Sequence, residues 1–231
     1  MIAQLNDPIK DIKFAPKFFG LVIAVALQSG KVKFYKPTSE GDIKMWSDFY
    51  GEINTFTASC NCLAWNPAFD EDIMIIVGCS GLKKEKQVEN KFIASEEKPI
   101  EDSLLQLYRL DGNKQKGSFV QYGRGLFPGH VGSINDVAWA PMAARTFHMV
   151  VSADSQRTII VWKILTKDIF DITAKFDSPK VEALFRVSAE HGLSLLSAPS
   201  SPEGAEVLRL KWNVTGTCFA GSCDDGTVRV W

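Results

Sequence analysis

Large apolar residues recur two positions apart in short runs along this chain, the period of a strand whose side chains alternate between faces. Four such runs share one pattern: Asp11-Ile12-Lys13-Phe14-Ala15-Pro16, Cys62-Leu63-Ala64-Trp65-Asn66-Pro67, Asp136-Val137-Ala138-Trp139-Ala140-Pro141 and Arg209-Leu210-Lys211-Trp212-Asn213-Val214. Each ends on Phe or Trp and is then stopped by a turn residue or a proline, which cannot extend a hydrogen-bonded ladder. A second apolar run closing on small residues follows each of them: Leu21 to Ala26, Ile73 to Gly78, Phe147 to Ser152 and Thr217 to Ser222. A third run ends on an aromatic every time, at Tyr35, Tyr108, Trp162 and Trp231. Ser29-Gly30 and Asp225-Gly226 stand between second and third runs, and a glycine there predicts a tight hairpin.

Three recurring strands, with a fourth drawn from the connecting segment, make one blade of a propeller. A blade has two apolar faces and cannot bury both alone, so blades stack around an axis. The expected fold is an all-β WD-repeat β-propeller with about four recognisable blades, in an incomplete or open ring. The whole of 1–231 reads as one propeller domain, a fragment of a longer ring, with blades near 7–35, 60–108, 129–162 and 206–231. Two stretches read as insertions. Residues 81–103 are rich in Lys and Glu and predict a solvated loop, and 178–204, an insertion or else a degenerate blade, lengthen the connection between the third and fourth blades.

The expected repeat residues are Phe14, Trp65, Trp139 and Trp212, which should be buried equivalents, together with the closing Trp162 and Trp231. Gly129-His130 opens the third repeat as the WD pattern requires. Asp154 is the residue placed to pair with His130, although Ser155-Gln156-Arg157 reads as a lengthened turn. Asp225 and Gly226 form the last hairpin. The final strand, Thr227, Val228, Arg229 and Val230, has no fourth strand after it and is the expected partner-binding edge, a surface that favours pairing or self-association.

Composition narrows the function. The 26 Lys plus Arg against 27 Asp plus Glu leave a net charge of -1, without the basic excess that nucleic-acid binding needs. No apolar run reaches the ~18 residues of a membrane-spanning helix. The five cysteines have neither a disulfide-framework spacing nor a zinc-finger pairing, so they read as core thiols. His130, His148 and His191 lie beside no nucleophile motif, and no phosphate-binding or dinucleotide fingerprint occurs. Asp70-Glu71-Asp72 lacks the spacing of a calcium loop and reads as solvated turn. No catalytic, cofactor or metal site is expected.

The stretches Lys10 to Lys17 with Gly20-Leu21, Cys60 to Pro67, Ala140-Pro141 with Arg145-Thr146-Phe147-His148, Lys211 to Thr217 and Asp224 to Trp231 resemble the Seh-type nucleoporins of the Seh/Sec-thirteen WD-repeat family. Their order resembles the last four of that family's six blades. The resemblance implies a scaffold subunit of the Y-shaped nuclear pore complex at the nuclear envelope, serving mRNA export and protein transport. It also implies an open propeller, completed by strands that an α-solenoid nucleoporin inserts, alongside other Y-complex subunits. Members of the family also serve a nutrient-signalling complex at the vacuolar or lysosomal membrane. The alternatives are a vesicle-coat propeller of the Sec-thirteen type and, from a different class, a ubiquitin-ligase substrate receptor or propeller enzyme.

Overall fold

The computed structural model describes residues 5–39, 42–55, 57–69, 71–82, 104–113, 116–142, 145–167, 175–188, 192–194 and 205–231. Its strands form four antiparallel sheets, each a simple meander in chain order. The first holds β1 (Ile9–Phe14), β2 (Ile23–Leu27), β3 (Lys31–Ser39) and β4 (Asp42–Asn54). The second holds β5 (Thr57–Trp65), β6 (Met74–Leu82), β7 (Leu105–Asp111) and β8 (Ser118–Gln121). The third holds β9 (Ile134–Trp139), β10 (His148–Asp154), β11 (Thr158–Lys167), β12 (Lys175–Ser188) and the short β13 (Gly192–Ser194). The fourth holds β14 (Val207–Trp212), β15 (Phe219–Cys223) and β16 (Val228–Val230).

The first strands of successive sheets pack on one another, β1 on β5, β5 on β9 and β9 on β14. The sheets are therefore blades stacked in sequence order around these inner strands. An apolar cluster fills each junction. Phe34, Phe19, Tyr50, Leu63 and Trp65 lie between blades one and two. Leu107, Phe127, Ile134, Val137 and Trp162 lie between two and three, and Val151, Val161, Leu210 and Phe219 between three and four. Among the described residues the first and fourth blades have no comparable junction, so the ring is open.

Each of the four sheets holds one of the four repeated runs, and two readings of the sequence need correction. Ser178 to Ser188 is no insertion. It belongs to β12, which pairs with β11 from Thr158↔Ser188 to Lys167↔Lys175 and is the outer strand of the third blade. Its sequence hid this because Asp177-Ser178-Pro179-Lys180 breaks the apolar alternation, and an outer strand packs too little surface to demand a clean pattern. Residues 195–204 and 83–103 lie outside the described residues, whereas Gly81 and Leu82 end β6. The third blade's β12, like β4 and β8, also extends its blade beyond the boundary drawn at its third strand.

The second correction concerns the hairpins. The N–H of Gly30 donates to the Leu27 carbonyl, and that of Gly226 to the Cys223 carbonyl. Both glycines have left-handed backbone, at φ 80 and φ 79. Each hairpin is thus a turn whose glycine follows the two central residues, the three-residue loop closed by a left-handed residue. The third blade uses the same loop: Arg157 donates to the Asp154 carbonyl and holds φ 63 without being glycine. Its turn is not lengthened at all.

Phe14 departs from the expected burial. Trp65 and Trp139 are each 8% exposed while Phe14, at the same register, is 63% exposed. The reason is directional. The last aromatic of each inner strand packs against the preceding blade, and Phe14 belongs to the first. Trp212 is intermediate, covered by the third blade on one side only.

Trp65→Ala should lower unfolding free energy by about 3–5 kcal/mol, the usual cost of truncating a buried aromatic. Phe14→Ala should change it by less than about 0.5 kcal/mol. Urea denaturation of the two variants checks this, and equal losses would refute the assignment of faces.

Candidate partner-binding faces and the blade tetrad

His130 stands before β9 and reaches two elements of its blade. Its Nδ1 is 2.9 Å from Asp154 Oδ2, and its Nε2 is 2.7 Å from Ser152 Oγ. Trp162 donates its indole N–H to the same Ser152 Oγ at 2.8 Å. An indole can only donate and a carboxylate only accept, so the chain runs from Trp162 through Ser152 and His130 to Asp154. Asp154 Oδ1 meanwhile accepts the N–H groups of Gln156 at 3.0 Å and Thr158 at 2.9 Å, fixing the turn. His130, Ser152, Asp154 and Trp162 therefore form one network tying a loop, two strands and a hairpin. Ser152 was not singled out by sequence, because a buried serine at a strand end carries no pattern of its own.

Burial alone would raise the Asp154 carboxyl, yet the hydrogen bond and charge of His130 and the N–H groups of Thr158 and Gly132 hold it below the ordinary value. The set is buried, the His130 and Asp154 side chains being 1% and 0% exposed. Among the described residues no group of three or more His, Cys, Asp or Glu side chains is arranged to hold a metal ion.

A second buried set joins blades two and three. His148 Nε2 lies 2.6 Å from Glu71 Oε2, and its ring stands edge-on to Trp139 at 5.3 Å. Glu71 is thus an inter-blade contact rather than solvated turn. Trp65 and Trp212 donate their indole N–H to the Lys13 and Ala138 carbonyls of the preceding inner strands. Trp139 Nε1 makes no such bond.

The inner strands are also stitched by side chains. Asp11 Oδ2 accepts the Leu63 N–H at 2.9 Å, and Asp136 Oδ2 accepts the Leu210 N–H at 2.8 Å. One position earlier, Asn61 donates to the Ile134 carbonyl at 2.8 Å and Asn135 to the Val207 carbonyl at 3.0 Å. Burial raises the Asp136 carboxyl, opposed by the N–H groups of Leu210 and Val137 and by the charges of Arg209 and Lys13.

The open ends are different in kind. The outward face of the first blade carries Ile12 and Phe14, both at least half exposed, beside the buried Ile23, Val25, Leu27 and Tyr35. That of the fourth carries Arg209, Lys211, Val228 and Val230, all exposed. Along β16 the register Ala220↔Val230, Gly221↔Arg229, Ser222↔Val228, with Trp231 bonded to Phe219 in both directions, turns the backbone groups of Arg229 inward. In an antiparallel ladder the intervening residues face the other way, so the backbone groups of Val228 and Val230 point away from β15, while the Thr227 carbonyl accepts the Cys223 N–H. The edge is narrower than Thr227 to Val230. Asp225 sits beside it, binding Thr227 through N–H and hydroxyl and Arg229 through its guanidinium at 2.8 Å.

His130→Ala strands the hydroxyl of Ser152 and the carboxylate of Asp154 and should cost about 1–3 kcal/mol. The pH dependence follows from the lowered Asp154: its contribution is present above the ordinary value of 3.8 and is lost as pH falls through the lower folded value. The stability gap between wild type and Asp154→Asn should therefore be steady above that range and narrow below it. Thermal melts across pH measure this, and a gap that widens in acid would overturn it.

The WD domain, G-beta repeat family matches residues 123–163 and 194–231, on the third and fourth blades. Nucleoporin SEH1-B of Xenopus laevis is 28% identical over 234 residues, covering 100% of this chain and 55% of its own length. Nucleoporin SEH1 of Homo sapiens is 27% identical over 232 residues with the same coverage, and that of Danio rerio 24% identical over 242 residues. The chain thus spans about half the length of the curated relatives it matches. With four meander sheets stacked on their inner strands and a complete Trp-Ser-His-Asp set in one of them, the chain has an open, propeller-like arrangement with WD repeats matched in two of its blades, and it is similar over its whole length to the SEH1 nucleoporins.

Proposed function

We propose that the chain is a non-catalytic scaffold propeller of the nuclear pore, docked by a protein partner that adds strands to its open blades. The observation that carries this reading is the similarity to SEH1 nucleoporins over the whole chain, on blades whose first and last faces are exposed among the described residues. The first exposes Ile9, Ile12 and Phe14, and the fourth exposes Val228 and Val230, residues that are 71% and 69% exposed. An unpaired edge beside an apolar sheet face is the geometry of strand addition. Whole-length similarity to SEH1 nucleoporins supports the pore as its setting, with an α-solenoid nucleoporin as strand donor. No helix among the described residues is long and apolar enough to cross a membrane.

The test is co-expression with an α-solenoid nucleoporin of the same cell, followed by size-exclusion chromatography. A co-eluting complex is expected. Val228→Pro should weaken it at least tenfold, since proline removes an outward donor while leaving the ladder to β15 intact. A stable chain with no affinity for that partner, or a complex indifferent to Val228→Pro, would overturn the reading.

A further inference from the structure

The first two strands of each blade meet at one matching pair: Ile9↔Leu27, Cys60↔Cys79, Ile134↔Asp154 and Val207↔Cys223. In the third blade this is the Asp154 that holds the His130 network. The second blade places two thiols there instead. Cys60 and Cys79 are both fully buried, and both lie in the apolar cluster between blades one and two, as side chains directly opposed across an antiparallel pair must. Two hydroxyls complete the group. Thr55 Oγ1 lies 3.5 Å from Cys60 Sγ, and it also contacts the Thr57 hydroxyl and donates to the Gly30 carbonyl at 2.8 Å.

The backbone brings the two sulfurs together. Cys79 donates its N–H to the Leu104 carbonyl at 2.8 Å, toward β7, so on the β5 side its pairing with Cys60 is of the non-hydrogen-bonded kind. Residues paired in that way stand about 4.5 Å apart at Cα, a separation that a disulfide spans. The two thiols already share a hydrogen bond. Burial, and then the Cys60 thiol, push Cys79 well above its ordinary value, against the hydroxyls of Thr57 and Thr55, which lower it. The closed pair therefore reacts slowly, because the thiolate is the nucleophile. Access comes by opening of the strand pair, whose ladder ends close by at Thr57↔Leu82, and strand ends open at the least cost. The other cysteines lie elsewhere: Cys62 in the junction between blades two and three, Cys223 in the next one, and Cys218 exposed.

We propose that Cys60 and Cys79 form a redox site that a peroxide closes to a cross-strand disulfide. One thiolate attacks a peroxide oxygen; the O–O bond breaks, and the departing hydroxide takes up the thiol's proton to leave as water. The second sulfur then attacks the sulfenic sulfur; the S–O bond breaks, and a second water leaves. The two sulfurs give up two electrons, and the peroxide takes them. The new bond ties the inner strand of the second blade to its neighbour at the position where the third blade uses Asp154. The site is independent of what the propeller binds.

The experiment treats the full chain, freed of reductant, with hydrogen peroxide, alkylates the remaining thiols under denaturing conditions, and maps unreduced peptides by mass. The expected result is one linkage, Cys60 to Cys79 within a single chain, reversed by dithiothreitol. The linked chain should melt about 5 °C above the reduced one, since a cross-link restricts the unfolded state. Cys60→Ser and Cys79→Ser should each abolish the linkage and the rise in Tm, while the exposed Cys218 oxidises as before. The wild-type map needs neither variant, so a variant that fails to fold leaves the test standing. Cys60 and Cys79 both still free at a peroxide dose that fully oxidises Cys218 would overturn the proposal. So would a linkage between any other pair or between two chains, one that forms only after urea has unfolded the chain, or one that leaves Tm unchanged or lower.

Discussion

A propeller blade is a twisted sheet with two apolar faces, and its stability depends on what lies against each of them. In this chain the demand is sharpest at the inner strands. There they approach closely enough that backbone N–H groups of one blade take acceptors from the next, at Leu63 with Asp11 and Leu210 with Asp136. Those bonds fix the angle and depth at which one sheet meets another. The aromatic clusters then fill the wedge that opens outward, where Phe34 stacks on Phe119 at 4.4 Å across the first junction. Apolar area supplies most of the energy of each junction, and the side-chain stitches supply the register that makes the area fit.

Much of this was legible in the sequence, because a propeller is a repeat and a repeat shows itself. The strand alternation, the closing aromatics and the Gly129-His130 opening located all four blades. The errors are instructive. Phe14 matches Trp65, Trp139 and Trp212 in register, but pattern cannot say whether a neighbour exists on the side to which the residue points. Ser155-Gln156-Arg157 hid an ordinary hairpin because Arg157 occupies a left-handed position, φ 63, where glycine is the usual signal. The strand from Lys175 was masked by polar residues that an outer strand tolerates. The His148–Glu71 contact joins residues far apart in the chain, and nothing local marks either as a partner of the other.

The four blades also divide the work of the molecule unevenly. The third carries the complete tetrad, with Asp154 holding its hairpin, and its faces are covered on both sides. Its buried polar network is fully connected through Ser152, the condition under which such networks stiffen a fold rather than weaken it. The first and fourth blades have no such network among the described residues and keep one face bare.

The two bare ends are not interchangeable. The first blade offers Ile12 and Phe14, with Asp11 already spending one oxygen on its own Ile12 N–H and the other on Leu63, so whatever packs there meets an apolar surface whose backbone needs are satisfied. The fourth offers Arg209 and Lys211 beside Val228 and Val230, so cations stand among the exposed apolar groups there, whereas the exposed residues of the first blade's face are apolar.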